Sequence, residues 1–128
     1  TYIQSGRNTE IMLQKINLAE KLASFSDHWS PKIAGNYDGN DIMLVKVLGE
    51  FVWHKHDDTD DFFLVIDGEV TIETENGNVT LGPGELYVVP KGVMQHPVAH
   101  FETHLLLIEP GGTPNTGDPA TAVQKSTI

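Results

Sequence analysis

The sequence predicts an all-β fold, a sandwich or small barrel of short strands with one short helix near its start. Three observations carry this. From residue 41 onward the apolar residues recur with a period of two instead of the helical period. Turn chemistry returns about every 8–12 residues, at Gly49, at Asp67 and Gly68, in ENGN (75–78), in GPG (82–84) and at Lys91 and Gly92. The chain has 128 residues, 39% of them apolar, enough for the core of one domain.

Residues 1–11 show no clear period; Met12 is the expected natural start, with an N-terminal extension or tag before it. NLAEKLASF (17–25) reads as a short helix. Asn17 can cap it, Glu20 stands three residues on, and Leu18, Leu22 and Phe25 share one face. DIMLVKVL (41–48) is a strand that Gly49 breaks, and EFVWHKH (50–56) continues extended. DFFLVI (61–66) and EVTIET (69–74) flank Asp67 and Gly68, the turn chemistry of a tight hairpin. VTL (79–81), ELYVVP (85–90), VMQHPVA (93–99) and HLLLIEP (104–110) complete about eight strands. Phe63, Val65, Val70, Ile72, Leu86 and Val88 are expected as barrel lining or core. The barrel is placed at 12–112. Residues 113–128 lack a core pattern and read as an extended tail, disordered unless it docks on a partner.

Large apolar groups stand on both faces of two of these strands. His54 and His56 share a face with Val52, opposite Phe51 and Trp53, while Phe62, Leu64 and Ile66 oppose Phe63 and Val65. A sheet with one wet face does not read this way. The helix, a second copy of the chain or both must cover the outer face, and a homodimer is expected.

Composition excludes several function classes. Eight basic against 18 acidic residues give a formal net charge of −10, which repels nucleic acid. No apolar run approaches the roughly 18 residues of a membrane span, so no membrane partner is expected. With no cysteine there is neither a disulfide nor a thiolate metal site, and a cytoplasmic location fits. GPGEL (82–86) is not a phosphate loop, because no Lys-Ser/Thr pair follows, and no nucleophile elbow is present.

The chemistry concentrates in FVWHKHDDTDDFF (51–63). Two imidazoles at i and i+2 of a strand, His54 and His56, project to one side and can begin a metal site. The acidic DDTDD (57–61) that follows lacks the spaced ligands and central glycine of an EF-hand; it is a solvated loop with one functional carboxylate. WHKHDDTDDFFLVIDGEVTI, followed by LGPGELYVVPKGVMQHPVA, resembles the two motifs of the cupin superfamily, in particular its small single-domain, mannose-6-phosphate-isomerase-like members. The resemblance covers roughly residues 12–117 and implies a cupin-type jelly-roll β-barrel holding a divalent metal through His, His, Glu and His. This chain keeps His54 and His56. It places Asp61 at the glutamate position and Gln95 at the third histidine position. Aspartate keeps the charge with a shorter reach, and Asp60 could substitute for Asp61. A neutral amide is a weaker ligand than imidazole for zinc, nickel or iron. His96 follows directly, and a one-residue slip beside Pro97 would turn it inward instead, so Gln95 and His96 both stand as candidates.

The implied cofactor is therefore a divalent ion (zinc, nickel, iron or manganese) and the implied partner a small molecule. Isomerisation, epimerisation and dioxygenation are the reaction classes in view, with His104 or Asp60 as a candidate base. The alternative is a non-catalytic small-ligand binder with a degenerate metal site, and a third reading is an accessory protein working through its dimer surface. His100 is expected on the surface in a turn between the last two strands, and His28 in packing or capping. Trp29, Pro31 and Lys32 are placed to seal one mouth of the barrel.

Overall fold

The computed structural model describes residues 14–128; Met12 and the expected extension at 1–11 lie outside the described residues. Among the described residues one helix, α1 (Leu18–Leu22), precedes eight strands: β1 (Lys32–Tyr37), β2 (Asn40–Glu50), β3 (Asp61–Asp67), β4 (Val70–Thr74), β5 (Gly77–Leu81), β6 (Leu86–Val89), β7 (Gln95–Pro110) and β8 (Ser126–Thr127). Its residues, LAEKL, are all good helix formers, and it is capped at its start. The Asn17 side chain accepts a bond from the Glu20 N–H at 3.0 Å, and the helix already ends at Ala23.

β7 organises the jelly roll. Its first part pairs with β4 (Gln95 opposite Thr74), its second with β3 (Ile108 opposite Phe62), and β2 runs antiparallel along both. The sheet order is β5-β4-β7-β2-β1-β8, with β6 added on β3. The period of two fixes which side chains meet. Met43, Val45 and Val47 of β2, Phe63 and Val65 of β3, Ile72 of β4, and Leu105 and Leu107 of β7 fill the interior. Burying each such side chain contributes roughly 1.5–3 kcal/mol before the entropy of ordering the chain is counted. The opposite face of β2 is covered too. Leu44 packs with Leu22 and Ala34, flanked by Leu18, Phe25, Ile66, Leu106 and Ile128, so α1 closes part of the outer face as the sequence predicts.

Gly68 makes the β3–β4 turn possible. Its φ is +94°, and a Cβ there would stand 2.5 Å from Thr103 Oγ1 and 2.9 Å from Thr103 Cα. Thr103 is fully buried and ties the turn, accepting from the Glu69 N–H at 3.1 Å and donating to Glu69 O at 3.0 Å.

The structure corrects several expectations. Gly49 does not end its strand; β2 passes through it with a register irregularity opposite β7. Residues 51–60 are not a strand, and Val52 is 56% exposed instead of sharing the buried face of His54 and His56. The stretches at 95–99 and 104–110 belong to one strand, in which residues 100–102 are exposed and lie where the register against β2 shifts. Leu86 and Val88 are exposed, because β6 turns Val89 inward opposite Asp61. The tail at 113–128 is docked on this chain's own barrel: β8 pairs in parallel with β1, and Ile128 joins the Leu22 cluster.

Candidate metal centre

Two non-local contacts bring the sequence candidates together. His54 forms an isolated bridge with the first residue of β7: His54 N–H donates to Gln95 O at 3.0 Å, and Gln95 N–H donates to His54 O at 2.8 Å. His56 O accepts from the Gly92 N–H at 2.8 Å, so the Lys91–Gly92 turn holds the second histidine in place. Asp61 opens β3 on its inward parity, ahead of Phe63 and Val65. All four side chains are buried: His54, His56, Asp61 and Gln95 are 7%, 5%, 4% and 1% exposed.

His54, His56 and Asp61 each offer one ligand atom, all within 4.8 Å of one another. The hydrogen bonding of His54 assigns its tautomer. Nδ1 lies 2.9 Å from Val52 O, a carbonyl that can only accept, so Nδ1 carries the proton and Nε2 keeps its lone pair. Burial then holds the imidazole below its usual pKa, which favours the neutral, ligating form. For His56, burial also pulls downward, but the contact with Asp61 and the charge of Glu109 outweigh it and raise the ring. Its Nε2 lies 3.3 Å from Asp61 Oδ2, close but not aligned as a hydrogen bond, and neither ring nitrogen has a hydrogen-bond partner.

Gln95, not His96, faces the interior. Its Nε2 donates to Asp61 Oδ2 at 2.6 Å, while its Oε1 is buried without a partner. His96 sits on the opposite face, stacked on Trp53 at 4.8 Å, with Nδ1 2.9 Å from Glu73 and Nε2 3.1 Å from Glu50. The regular register of β7 against β4 leaves no slip that would turn it inward.

The other candidates stay away from the cluster. Asp60 is exposed and accepts from the Lys91 N–H at 3.0 Å. His104 faces outward beside Glu102, at 3.1 Å, and the same Glu102 holds His28 at 2.8 Å. Neither proposed base reaches the interior. His100 is exposed as expected, although within a strand. Lys32 pairs with Asp27 at 2.8 Å and does not line the cavity.

Sequence reasoning missed a carboxylate, Glu109, which is 3% exposed. Its Oε2 lies 3.9 Å from His56 Nε2, and its Oε1 lies 3.3 Å from Nζ of Lys125, a residue of the tail. Burial, then the charge of Asp61, pushes Glu109 up to about 7, against the pull of Lys125 and His56. A signal was present in HLLLIEP: Glu109 falls on the same parity as Leu105 and Leu107, a charge where the strand pattern calls for core.

Beside the cluster is a small cavity of about 50 Å³. One water needs about 10–15 Å³ of such space, so it admits a few waters or part of a small ligand. Its wall is mostly apolar (Val45, Val47, Phe63, Leu105 and Leu107 among others), with His54, Asp61, Glu109 and Asn115 as the polar points. Trp29 and Pro31 close one side, as expected from their place in the sequence. Trp29 stacks on Phe51 at 5.0 Å and donates its indole N–H to Leu48 O at 2.9 Å. His54 and Phe51 also line a wider outer groove, bounded by Thr116, Gly117 and Thr121 of the tail, which offers a way in.

The cupin domain profile matches residues 42–111. A solved cupin-2 domain containing protein of Shewanella frigidimarina is 42% identical to this chain, with a TM-score of 0.75, covering 80% of this chain and 99% of that one. Protein NMB1881 of Neisseria meningitidis is 34% identical with a TM-score of 0.70, covering 77% of this chain and 100% of its own. YdbB of Bacillus subtilis (strain 168), an uncharacterised protein, is 29% identical over 69 residues, a match that spans 53% of this chain and 61% of that relative's length.

Proposed function

Since the chain belongs to the cupin domain family, we propose that it binds one divalent metal through His54, His56 and Asp61 and acts on a small molecule held in the adjoining cavity. The observation that carries this reading is the buried group of His54, His56 and Asp61, with ligand atoms all within 4.8 Å of one another, in which the His56 ring nitrogens have no hydrogen-bond partner among the described residues. An unpartnered buried polar atom costs about 1–3 kcal/mol, and an ion bound to one nitrogen of His56 offsets that cost for the atom it binds. Two imidazoles with a carboxylate suit zinc, nickel, iron or manganese. When bound, such an ion supplies Lewis acidity toward a ligand oxygen, the chemistry behind isomerisation, epimerisation or dioxygenation.

The chain's own residues do the rest. His54 is oriented by Val52 O. Gln95 orients the Asp61 carboxylate by donating to it at 2.6 Å. The apolar wall limits the ligand to a small one.

One observation favours a second reading, a non-catalytic small-ligand binder. The Gln95–Asp61 bond at 2.6 Å already satisfies one carboxylate oxygen without any metal. Metal analysis of the purified protein separates the two. A stoichiometric transition metal, lost in His54→Ala, supports the first. A protein free of metal and unresponsive to added manganese, iron, nickel or zinc leaves the second.

The proposed assembly is a homodimer in the cytoplasm. Val88, Phe62, Ile108 and Ile42 form one apolar row across the outer face, and Leu86, Leu64, Leu106 and Leu44 form the next. The end at Leu86 and Val88 lies beyond the cluster that α1 covers. Among the described residues no helix is long and apolar enough to cross a membrane, and the net charge of −10 disfavours nucleic acid.

A further inference from the structure

Glu109 belongs to neither motif, yet it faces the cluster. We propose that its carboxylate is a fourth protein ligand of the metal, standing in for the imidazole that Gln95 replaces, and that Lys125 of the C-terminal tail positions it. The inference rests on the metal reading of His54, His56 and Asp61 and extends it.

The sheet register places Glu109 there. Phe62 of β3 stands opposite Ile108 of β7, so the antiparallel ladder sets Asp61 beside Glu109, both on the inward parity. The same ladder sets Asp41 opposite Glu109 on β2. Three carboxylates thus form one inward row at the end of the barrel. Asp41 is accounted for by the Asn36 amide, which donates to it at 3.0 Å. Asp61 and Glu109 are left facing His56.

Around His56 the distances fit one ion, while Glu109 stands outside the group whose ligand atoms all lie within 4.8 Å, so it joins the others on the ion through a shift of its side chain. Two ligands on an ion with bonds of about 2.1 Å cannot lie more than about 4.2 Å apart. Glu109 Oε2 is 3.9 Å from His56 Nε2, and Asp61 Oδ2 is 3.3 Å from the same nitrogen. His56 Nε2, without a hydrogen-bond partner, therefore points between two carboxylates that are both within that limit.

The two oxygens of Glu109 divide the work. Oε1 is engaged by Lys125 Nζ at 3.3 Å, and Lys125 is itself held by the carbonyl of Thr113. That leaves Oε2 directed at the cluster. The Lys125 side chain is only 10% exposed, and the strand that follows it, β8, is anchored on β1. The tail is in this way built into the site, although it contributes no ligand atom of its own. Two carboxylates with two imidazoles make a harder donor set than three histidines, which raises the standing of manganese and ferrous iron relative to zinc.

The test titrates Mn2+ into the metal-free full chain by calorimetry and follows Co2+ binding by its visible absorption. Wild type is expected to bind one Mn2+, and His54→Ala none. Glu109→Gln is expected to bind Mn2+ about 100-fold or more weaker, and Lys125→Met about 10-fold weaker, as when a partner that orients a ligand is lost. Lys125→Arg is expected to restore near-wild-type affinity. Should Glu109→Gln alone fold poorly, Glu109→Gln/Lys125→Met removes both buried charges and is expected to show the same loss. Folded variants lacking Glu109 that bind Mn2+ like wild type would overturn the inference while leaving the His54, His56 and Asp61 site standing. So would weakened binding with an unchanged Co2+ spectrum at saturation, since Glu109 would then act from outside the coordination sphere. A wild-type chain that binds none of Mn2+, Fe2+, Ni2+ or Zn2+ overturns both readings.

Discussion

Replacing Glu109 makes the electrostatics of the interior measurable without any metal. Burial and the neighbouring Asp61 raise Glu109 from 4.5 to about 7. The difference, 7 − 4.5, is worth on the order of 3 kcal/mol at about 1.4 kcal/mol per pH unit. The sign follows from which state holds the proton. Between pH about 4.5 and 7 the folded chain keeps the Glu109 proton and the unfolded chain has lost it. Its contribution to stability is therefore fully present below about 4.5, falls as pH rises through 7 and is gone above that. Other groups of the chain also respond to pH, so the informative quantity is a difference. Urea unfolding of metal-free wild type and of Glu109→Gln/Lys125→Met, from pH 4.5 to 8.5, is expected to show wild type losing on the order of 3 kcal/mol relative to the variant as pH rises. A wild-type-minus-variant difference that stays flat across this window would refute the claim that Glu109 is buried beside a second carboxylate in an under-compensated site.

Three further outcomes follow from the same geometry. Gln95→His places an imidazole beside Asp61 on the inward face, so zinc or nickel affinity by calorimetry should rise about tenfold or more; no change would mean that an ion does not sit there. Gly68→Ala combines a φ of +94° with a Cβ 2.5 Å from Thr103 Oγ1, and should destabilise the fold by about 2–3 kcal/mol or more, seen as a lower urea midpoint; an unchanged midpoint would show the turn to be far more yielding. Leu86→Glu puts a charge on the exposed apolar row of β6 and should shift sedimentation from dimer to monomer while leaving unfolding nearly unchanged; a monomeric wild type would end the dimer proposal.

The barrel was legible in the sequence wherever alternation is strong, as in β3 and β4, and the sequence offered His54, His56, Asp61 and the pair Gln95 and His96 as candidates, leaving the register of β7 to decide which of the last two faces inward. What escaped has physical reasons. β1 reads poorly because it has a register irregularity between Ile33 and Gly35 and buries only Ala34, leaving no alternation to see. β7 looked like two strands because residues 100–102 are exposed and polar-rich where its register against β2 shifts, and only its pairing with β2 shows continuity. Leu86 and Val88 looked like core because the alternation of β6 alone does not say which face will be wet; its pairing with β3, which sets the buried Val89 opposite Asp61, does. The tail escaped because its docking depends on a few specific contacts, Lys125 to Glu109 and Ile128 to the Leu22 cluster, and not on any period. Glu109 was readable by parity alone, but a lone acid at a strand end resembles a solvated terminus until the fold sets Asp61 beside it.

The central claim is that a divalent ion sits among His54, His56 and Asp61. Anomalous diffraction from crystals of the full chain soaked in Mn2+, recorded at a wavelength where manganese scatters anomalously, tests it most directly. The account expects one dominant peak about 2.0–2.3 Å from an imidazole nitrogen of each histidine and an oxygen of Asp61. No peak there, or a peak only at the surface cluster of His28, Glu102 and His104, would contradict it.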